Sequence, residues 1–306
     1  MGHSHNHNHS HSHQVTKDIR LAFLLNLSFA ILEIFGGLWT NSLAIVSDAV
    51  HDLGDSISLG MAWYLEKYSH KQEDAAFSYG YRRLSSLGAL INTLILVAGS
   101  LYLITQALPR IINPEPTDAK GMIAFAVVGV AVNGLAMLRL SKTSSLNARV
   151  VAWHLLEDAL GWVAVLLVSL VLLFSDLYIL DPILSIAIAG YILYNAIANL
   201  RQTLGLFLQA VPQEIDLEKL QQSILALERV NSLHHTHVWS LDGERHVLTT
   251  HIVVETDTTR PEILAIKQAV QHLGKELSLE HITLEIEYLG EYCQMRQLLQ
   301  HEHHSH

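Results

Sequence analysis

The sequence predicts an α-helical membrane protein, with six transmembrane helices followed by a cytoplasmic α+β domain of element order αββαβ. Half of the residues are hydrophobic and only 16% are charged, whereas soluble chains usually carry about 25% charged residues. Six apolar runs are each long enough to cross a bilayer, which takes about 20 residues. From about Val211 the hydropathy falls and short alternating segments begin, which indicates a soluble domain.

The chain is expected to divide into four parts: a disordered histidine-rich tail (1–16), the transmembrane domain (17–208), the cytoplasmic domain (209–292) and a second histidine-rich tail (293–306). Six of the first thirteen residues are histidines that alternate with small polar residues. Such tracts cannot form a core, but they can gather metal ions weakly. A purification tag is the alternative, although tags are usually contiguous histidines and the C-terminal H-E-H-H-S-H has the same composition.

The apolar runs also set the topology. Their approximate bounds are Ile19 to Trp39, Leu43 to Leu65, Leu84 to Leu108, Gly121 to Leu140, Val150 to Phe174 and Ile179 to Leu200. The first run is followed by five more, so it is predicted to be a span and not a cleaved signal peptide. With six spans, the loops on the side of both termini contain ten Lys and Arg residues, against Arg110 and Lys120 on the other side. This bias predicts a multi-pass membrane protein with both termini in the cytoplasm. If the protein is bacterial, the expected location is the cell or inner membrane.

Two of the runs contain side chains that are costly inside a membrane. The second run contains S-D-A-V-H-D-L-G-D-S and the fifth contains W-H-L-L-E-D, and both have the spacing H-x-x-x-D: His51 with Asp55, and His154 with Asp158. Each aspartate at a helix centre costs about 2.5 to 3.5 kcal/mol on insertion, which is hard to explain without a ligand. Residues four apart share a helix face, so two such helices would offer two imidazoles and two carboxylates. That set suits tetrahedral Zn²⁺.

Three further acidic residues near these motifs have no assigned role. Asp48, Asp52 and Glu157 are either partners that orient the histidines or groups that face the cytoplasmic cavity.

The soluble part is predicted to contain a helix, two strands, a second helix and a third strand. Their bounds are Glu214 to Leu227, His234 to Leu241, Arg245 to Glu255, Thr259 to Leu277 and Ile282 to Leu289. Asp242-Gly243 between the two strands is a strong hairpin signal, and Pro261 lies in the first turn of the second helix. This order suggests a ferredoxin-like sandwich with both helices on one face of the sheet.

A histidine cluster lies on these strands. Its members are His234, His235, His237, His246, His251 and His281, with Glu285 and Glu287 on the third strand. A histidine that lies alone on a strand is commonly just a tolerated polar residue, but the cluster suggests metal binding. A two-residue turn at Asp242-Gly243 would place His251 opposite His234 and on the other face from His237. A site with both His237 and His251 therefore needs a longer loop or a bulge.

The residues resemble the cation diffusion facilitator (CDF) family, in its zinc-exporting branch with a histidine-rich N-terminus. The resemblance covers nearly the whole chain through S-D-A-V-H-D-L-G-D, W-H-L-L-E-D, D-P-I-L-S, H-H-T-H-V-W and T-L-E-I-E. It implies a homodimeric, proton-coupled exporter with six helices per protomer and a ferredoxin-like cytoplasmic domain. The implied transport site is His51, Asp55, His154 and Asp158. The implied cytoplasmic metal site, near the dimer interface, is His237, His251 and Glu287.

The chain departs from this pattern in the loop after the second span. Some family members place metal ligands there, whereas this sequence has Phe77 and Tyr81 in F-S-Y-G-Y, so that loop site is expected to be absent. The two-His, two-Asp set resembles zinc-selective members, which implies Zn²⁺ with some Cd²⁺ or Co²⁺ as the range of cargo.

The expected function is therefore proton-coupled efflux of Zn²⁺ across the bilayer, with Zn²⁺ as cargo and as a structural or regulatory ion in the cytoplasmic domain. The net charge of −10 makes nucleic acid an unfavourable partner, and Cys293 alone cannot form a disulfide framework. An intramembrane metalloenzyme is one alternative, but the chain lacks H-E-x-x-H and four protein ligands leave no position for a catalytic water. A metal sensor is the other, but it would not require charged residues inside two spans.

Overall fold

The computed structural model describes residues 9–69, 73–141 and 146–293. The ends of the two predicted histidine-rich tails, residues 1–8 and 294–306, lie outside the described residues. The first helix begins at His9, so the predicted boundary at residue 17 falls inside it. A helix satisfies its own backbone hydrogen bonds, and it can therefore continue from an apolar span into a polar segment.

The chain forms two compact units. Among the described residues, the first unit takes 9–67 and 87–200, and the second takes 68–69, 73–86 and 201–293.

The first unit is helical. Its helices are α1 (His9–Thr40), α2 (Leu43–Ser69), α3 (Arg83–Ile112), α4 (Ala119–Leu140), α5 (Leu146–Phe174) and α6 (Leu180–Phe207). Five of them, all except α2, contain stretches long and apolar enough to cross a membrane. Helix α2 has 27 residues and is also long enough, but it contains Asp48, Asp52 and Asp55. These are the six helices that the sequence predicts.

Close packing and hydrogen bonds fix the position of α2. A Cβ added at Gly37 of α1 would press against Val46 of α2, so the two helices approach closely. The buried carboxylate of Asp181, in the first turn of α6, accepts hydrogen bonds from the Ser42 hydroxyl and the backbone N–H of Leu43. This carboxylate satisfies N–H groups at the start of α2 that have no partner within the helix.

The second unit contains a three-stranded sheet. Its elements are α7 (Leu217–Leu225), β1 (Val230–Ser240), β2 (His246–Val254), α8 (Arg260–Glu276) and β3 (Leu279–Tyr288). The strand order is β1-β2-β3, with β1 antiparallel and β3 parallel to β2. The core joins Ile224 of α7, Ile252 of β2 and Val270 of α8, all fully buried. The αββαβ order is the one that the sequence predicts.

The hairpin between β1 and β2 differs from the predicted two-residue turn. Ser240 pairs with His246, and the connection is closed by a 2.8 Å hydrogen bond from Leu241 N to Arg245 O. The turn is longer because the Asp242 carboxylate accepts hydrogen bonds from the N–H groups of Glu244 and Arg245. A register shift between His234 and His237 then restores the pairing of His234 with His251.

Candidate metal centre

Four side chains from α2 and α5 converge in the first unit. His51 and Asp55 lie one turn apart on α2, as His154 and Asp158 do on α5, because a spacing of four places side chains on one helix face. His154 Nε2 lies 2.7 Å from Asp55 Oδ2, and His51 Nε2 lies 3.7 Å from Asp158 Oδ1 and 3.8 Å from Asp55 Oδ2. Each histidine therefore contacts an aspartate of the other helix.

The spacing of these atoms suits a tetrahedral ion. Ligands about 2.0 to 2.2 Å from zinc lie about 3.3 to 3.6 Å from one another. The contacts of His51, at 3.7 and 3.8 Å, are close to that value. The 2.7 Å contact of His154 with Asp55 is instead a hydrogen bond, which an entering ion must break. The assignment of these four residues as ligands stays a prediction, and they are brought together as it requires.

Carboxyl groups surround the centre. Asp48 and Asp52, whose role the sequence leaves open, are buried with 6% exposure each, whereas Glu157 is exposed. Glu33 of α1 is a third buried carboxyl, at 1% exposure, and sequence reasoning missed it. A signal was present, because Glu33 is the only acidic residue in the first apolar run.

A second group of ligand atoms lies on the sheet of the second unit. His234, His251, Glu287 and Cys293 each offer one atom, all within 4.8 Å of one another. His251 Nδ1 is 2.6 Å from Glu287 Oε1, and His234 Nε2 is 3.2 Å from Glu287 Oε2. Two imidazoles, a carboxylate and a thiol form a donor set that fits Zn²⁺ or a similar divalent ion.

The Glu287 carboxyl is held in its ionised form. Burial alone would raise its pKa, but hydrogen bonds with His251 and Cys293 and the charges of His234 and His251 lower it below its usual range. A carboxylate that stays ionised is ready to bind a cation.

The cytoplasmic site implied by the family resemblance is brought together only in part. His251 and Glu287 lie in the cluster, but His237 is exposed and pairs with Thr249, two residues along β2 from His251. Because the longer turn pairs His237 with Thr249, His237 lies on the same sheet face as His251, as such a site would need. The nearer residues are His234 and Cys293, and the pairing of His234 with His251 and the ligand chemistry of the single cysteine were the available signals.

Among its described residues, the loop after α2 contains no cluster of potential metal ligands. The Asp74 carboxylate accepts hydrogen bonds from the N–H groups of Ala76 and Phe77 and from the Tyr81 hydroxyl. These contacts close the loop on itself.

Comparisons with known proteins agree with these two units. The family model for the cation efflux transmembrane domain matches residues 19–208, and the model for the cytoplasmic domain of cation efflux proteins matches residues 212–288. Zinc transporter ZitB of Pectobacterium atrosepticum is 30% identical over 277 residues, which cover 89% of this chain and 86% of that protein. The cadmium, cobalt and zinc/H⁺-K⁺ antiporter of Bacillus subtilis is 30% identical over 300 residues, which cover 95% of this chain and 96% of that protein.

A solved structure also matches. The metal-bound C-terminal domain of the CzcD transporter from Cupriavidus metallidurans is 32% identical, covers 24% of this chain and 99% of that chain, and has a TM-score of 0.22.

The family model for the transmembrane domain covers more than half of this chain. The alignments with the two relatives cover 89% and 95% of this chain. The family and the names of these relatives indicate a transporter and not an enzyme. This chain is a multi-pass membrane protein for the efflux of metal cations, and it belongs to the cation diffusion facilitator family.

Proposed function

We propose that this protein exports Zn²⁺ from the cytoplasm in exchange for protons, with Cd²⁺ or Co²⁺ as further cargo. The observation that carries the proposal is the convergence of His51, Asp55, His154 and Asp158 from two membrane helices, with cross-helix contacts of 2.7 and 3.7 Å. The names of the relatives, a zinc transporter and a cadmium, cobalt and zinc antiporter, support the choice of cargo.

The exchange follows from competition for the same atoms. Imidazole and carboxylate bind either a proton or a metal ion, so metal binding releases protons and protonation releases metal. The hydrogen bond between His154 and Asp55 holds one proton where a metal ion would bind. If the centre opens alternately to each side, it takes Zn²⁺ from the cytoplasm and exchanges it for protons outside.

The protein is proposed to work as a homodimer with both termini in the cytoplasm. Its cytoplasmic domain matches the family model ZT_dimer, whose name denotes a dimer, and the Lys and Arg residues of the loops favour this orientation. The cluster on the sheet would bind a further ion, with a structural or regulatory role.

The test is zinc flux into proteoliposomes that contain a zinc-sensitive dye. We expect His51→Ala and Asp158→Ala to abolish the flux, because each removes one of four ligands. His272→Ala, which changes an exposed histidine of α8, should leave it unchanged. Undiminished flux in either of the first two variants would remove the assignment.

A metal sensor remains the competing function, supported by the ligand cluster of the cytoplasmic domain. A sensor would bind zinc without moving it. Expression in a zinc-sensitive strain separates the two, because only a transporter restores growth and only a transporter loses that effect in His154→Ala.

A further inference from the structure

An apolar cluster closes one side of the proposed metal centre, and the proposed exchange gives it no role. The cluster joins α2, α4 and α5, and six of its members have no exposed surface: Ala44, Ile45, Met122, Ala126, Trp162 and Val165. We call these six residues the outer cluster. In the proposed orientation α2 and α4 begin, and α5 ends, on the external side. The outer cluster therefore lies between the metal centre and the outside.

Trp162 is the largest member of the outer cluster and lies one turn beyond the proposed ligands. It follows Asp158 by four residues, as Asp158 follows His154, so the three side chains share one face of α5 and Trp162 is about 6 Å further along the axis. Its ring packs edge-on against Phe29 of α1, with ring centroids 6.2 Å apart. It also lies against the backbone of α4, where a Cβ added at Gly129 would overlap it. Trp162 therefore fills the space between the helices directly outside the metal centre.

The metal centre is accessible, whereas the outer cluster is not. The side chains of His51, Asp55 and His154 are 27%, 29% and 40% exposed, but Trp162 has no exposed surface. A divalent ion that entered a dry apolar region would lose the water that solvates its charge, which is very costly. In this conformation the route from the centre through the outer cluster is therefore closed to zinc.

The packing of Trp162 has one unfavourable feature. Its indole N–H is buried and has no hydrogen-bond partner among the described residues, although a buried tryptophan usually finds one. A donor left without a partner in an apolar interior is costly. Water that enters an opened cluster would supply the partner. The closed arrangement is therefore less stable than an apolar core of the same size, as suits a side chain that must move.

We propose that the outer cluster is the external gate of the transport path, and that Trp162 is the side chain that closes it. Zinc stays at the centre while the ring packs on Gly129, and it leaves outward only when the ring moves from that position. The competing interpretation is a permanent core that never opens. This inference rests on the proposed function, because a gate has a role only in a chain that moves an ion across the membrane.

The experiment is cysteine labelling of the full chain in spheroplasts of a bacterial expression strain. Cys293 is the only cysteine, so in Cys293→Ser one introduced thiol can be labelled alone. A membrane-impermeant maleimide is added outside at one external pH, with the cytoplasm either loaded with zinc or depleted of it. We expect Ile45→Cys to react about tenfold faster during zinc efflux, because the opened gate admits water and the reagent.

Two further cysteines serve as controls. Asn113→Cys, at an exposed position between α3 and α4, should react equally under both conditions. Leu160→Cys, on α5 where the side chain is 58% exposed and outside the outer cluster, should react under neither, because that face of the helix meets lipid. An unreactive Asn113→Cys would mean that this side is not external, and the proposed gate would fall with the orientation.

Loss of the gate has a second consequence, which is measured as zinc flux. With equal pH on both sides of a proteoliposome, Trp162→Ala should carry zinc down its own gradient about tenfold faster than the wild type, and a pH gradient should no longer change the rate. A substitution that only loosened the fold would lower the flux instead. Trp162→Leu is judged by the same criterion if Trp162→Ala is not monodisperse.

Two results would overturn the gate. One is an Ile45→Cys that reacts equally under both conditions, since the outer cluster is then a permanent core; Met122→Cys takes its place if that variant moves no zinc. The other is a flux in Trp162→Ala that still depends on the pH gradient. A wild type that moves no zinc at all would instead contradict the proposed transport function.

Discussion

At the scale of single residues, Asp181 shows how one buried carboxylate fixes a functional helix. It has no exposed surface and accepts hydrogen bonds from Ser42 Oγ and from the N–H groups of Leu43 and Ala44. His51 lies about two turns further along α2. The position of the proposed metal ligands of α2 therefore depends on a residue of another helix.

Asp181→Ala is expected to destabilise the protein by about 2 to 4 kcal/mol, because each buried donor left without a partner costs about 1 to 3 kcal/mol. The measurement is the thermal midpoint of the full chain in detergent, followed by circular dichroism. Asp118→Ala is the control, since Asp118 also caps a helix, α4, through Lys120 N but is exposed. The loss of stability in Asp118→Ala should be about 1 kcal/mol or less. Equal shifts of the thermal midpoint in the two variants would contradict the role of Asp181.

The ionisation of Glu287 predicts how the stability of the cytoplasmic domain depends on pH. Its pKa is lowered in the folded state, with burial opposed by the hydrogen bonds and charges of its partners. Its ionised form therefore stabilises the domain above its unfolded pKa, about 4.3, and this stabilisation is lost as the pH falls through the lower folded pKa. The stability difference between the wild type and Glu287→Gln should be largest above about pH 4.5 and should shrink below it.

Hydrogen exchange measures this difference in the metal-free full chain. Protection factors of β2 and β3 amides report local stability after correction for the intrinsic effect of pH on exchange. A difference that stays constant from neutral to strongly acidic pH would show that Glu287 does not titrate against its partners.

At the scale of elements, the packing of α4 on α5 depends on Gly129. A Cβ added at Gly129 would overlap the indole ring of Trp162, which is completely buried. Gly129→Ala should therefore cost about 1 to 3 kcal/mol through overpacking. Gly134 of the same helix has no atom within 4 Å of an added Cβ, so Gly134→Ala should be neutral or stabilise by up to about 1 kcal/mol.

Thermal midpoints of the two glycine variants, measured in the same detergent, test this contrast. The position on α4 is the only difference between them, since the substitution is identical. A loss of stability in Gly134→Ala as large as that in Gly129→Ala would mean that helix contacts with Trp162 do not decide the outcome.

The sequence predicts elements well where the physical signal is local. Apolar runs of about 20 residues mark the six helices, and the spacing of His51 with Asp55 follows directly from the helical repeat. Contacts between distant residues leave no comparable signal. Nothing near Asp181 in the sequence shows that it caps α2, and the carboxyl groups that interact with Glu33 lie on other helices.

The hairpin shows the same limit in the sheet. Asp242-Gly243 predicts the hairpin, but the Asp242 carboxylate lengthens the turn and the shift near His234 compensates for it. Whether His234, His237 and His251 share one face of the sheet depends on the longer turn and on the register shift together. The histidine cluster could therefore be predicted, whereas its combination with Cys293 required the structure.

At the scale of the whole molecule, two groups of potential metal ligands lie in separate units. One, on α2 and α5, contains the four residues proposed to carry zinc. The other, on β1, β2, β3 and the segment after β3, contains His234, His251, Glu287 and Cys293. Only the first lies among helices that cross the membrane. We therefore expect transport and cytoplasmic metal binding to respond to different substitutions.

Metal content and zinc flux, measured on the same preparations, test this separation. Relative to the wild type, His51→Ala and His251→Ala should each lose about one bound zinc per chain by elemental analysis, and the double variant about two, since each change removes a ligand from one group. Flux should vanish in His51→Ala but persist in His251→Ala, at a rate that depends on any regulatory role. If His251→Ala abolished flux as completely, the cytoplasmic ion would be essential for the transport cycle, because the ligands in the membrane remain intact in that variant.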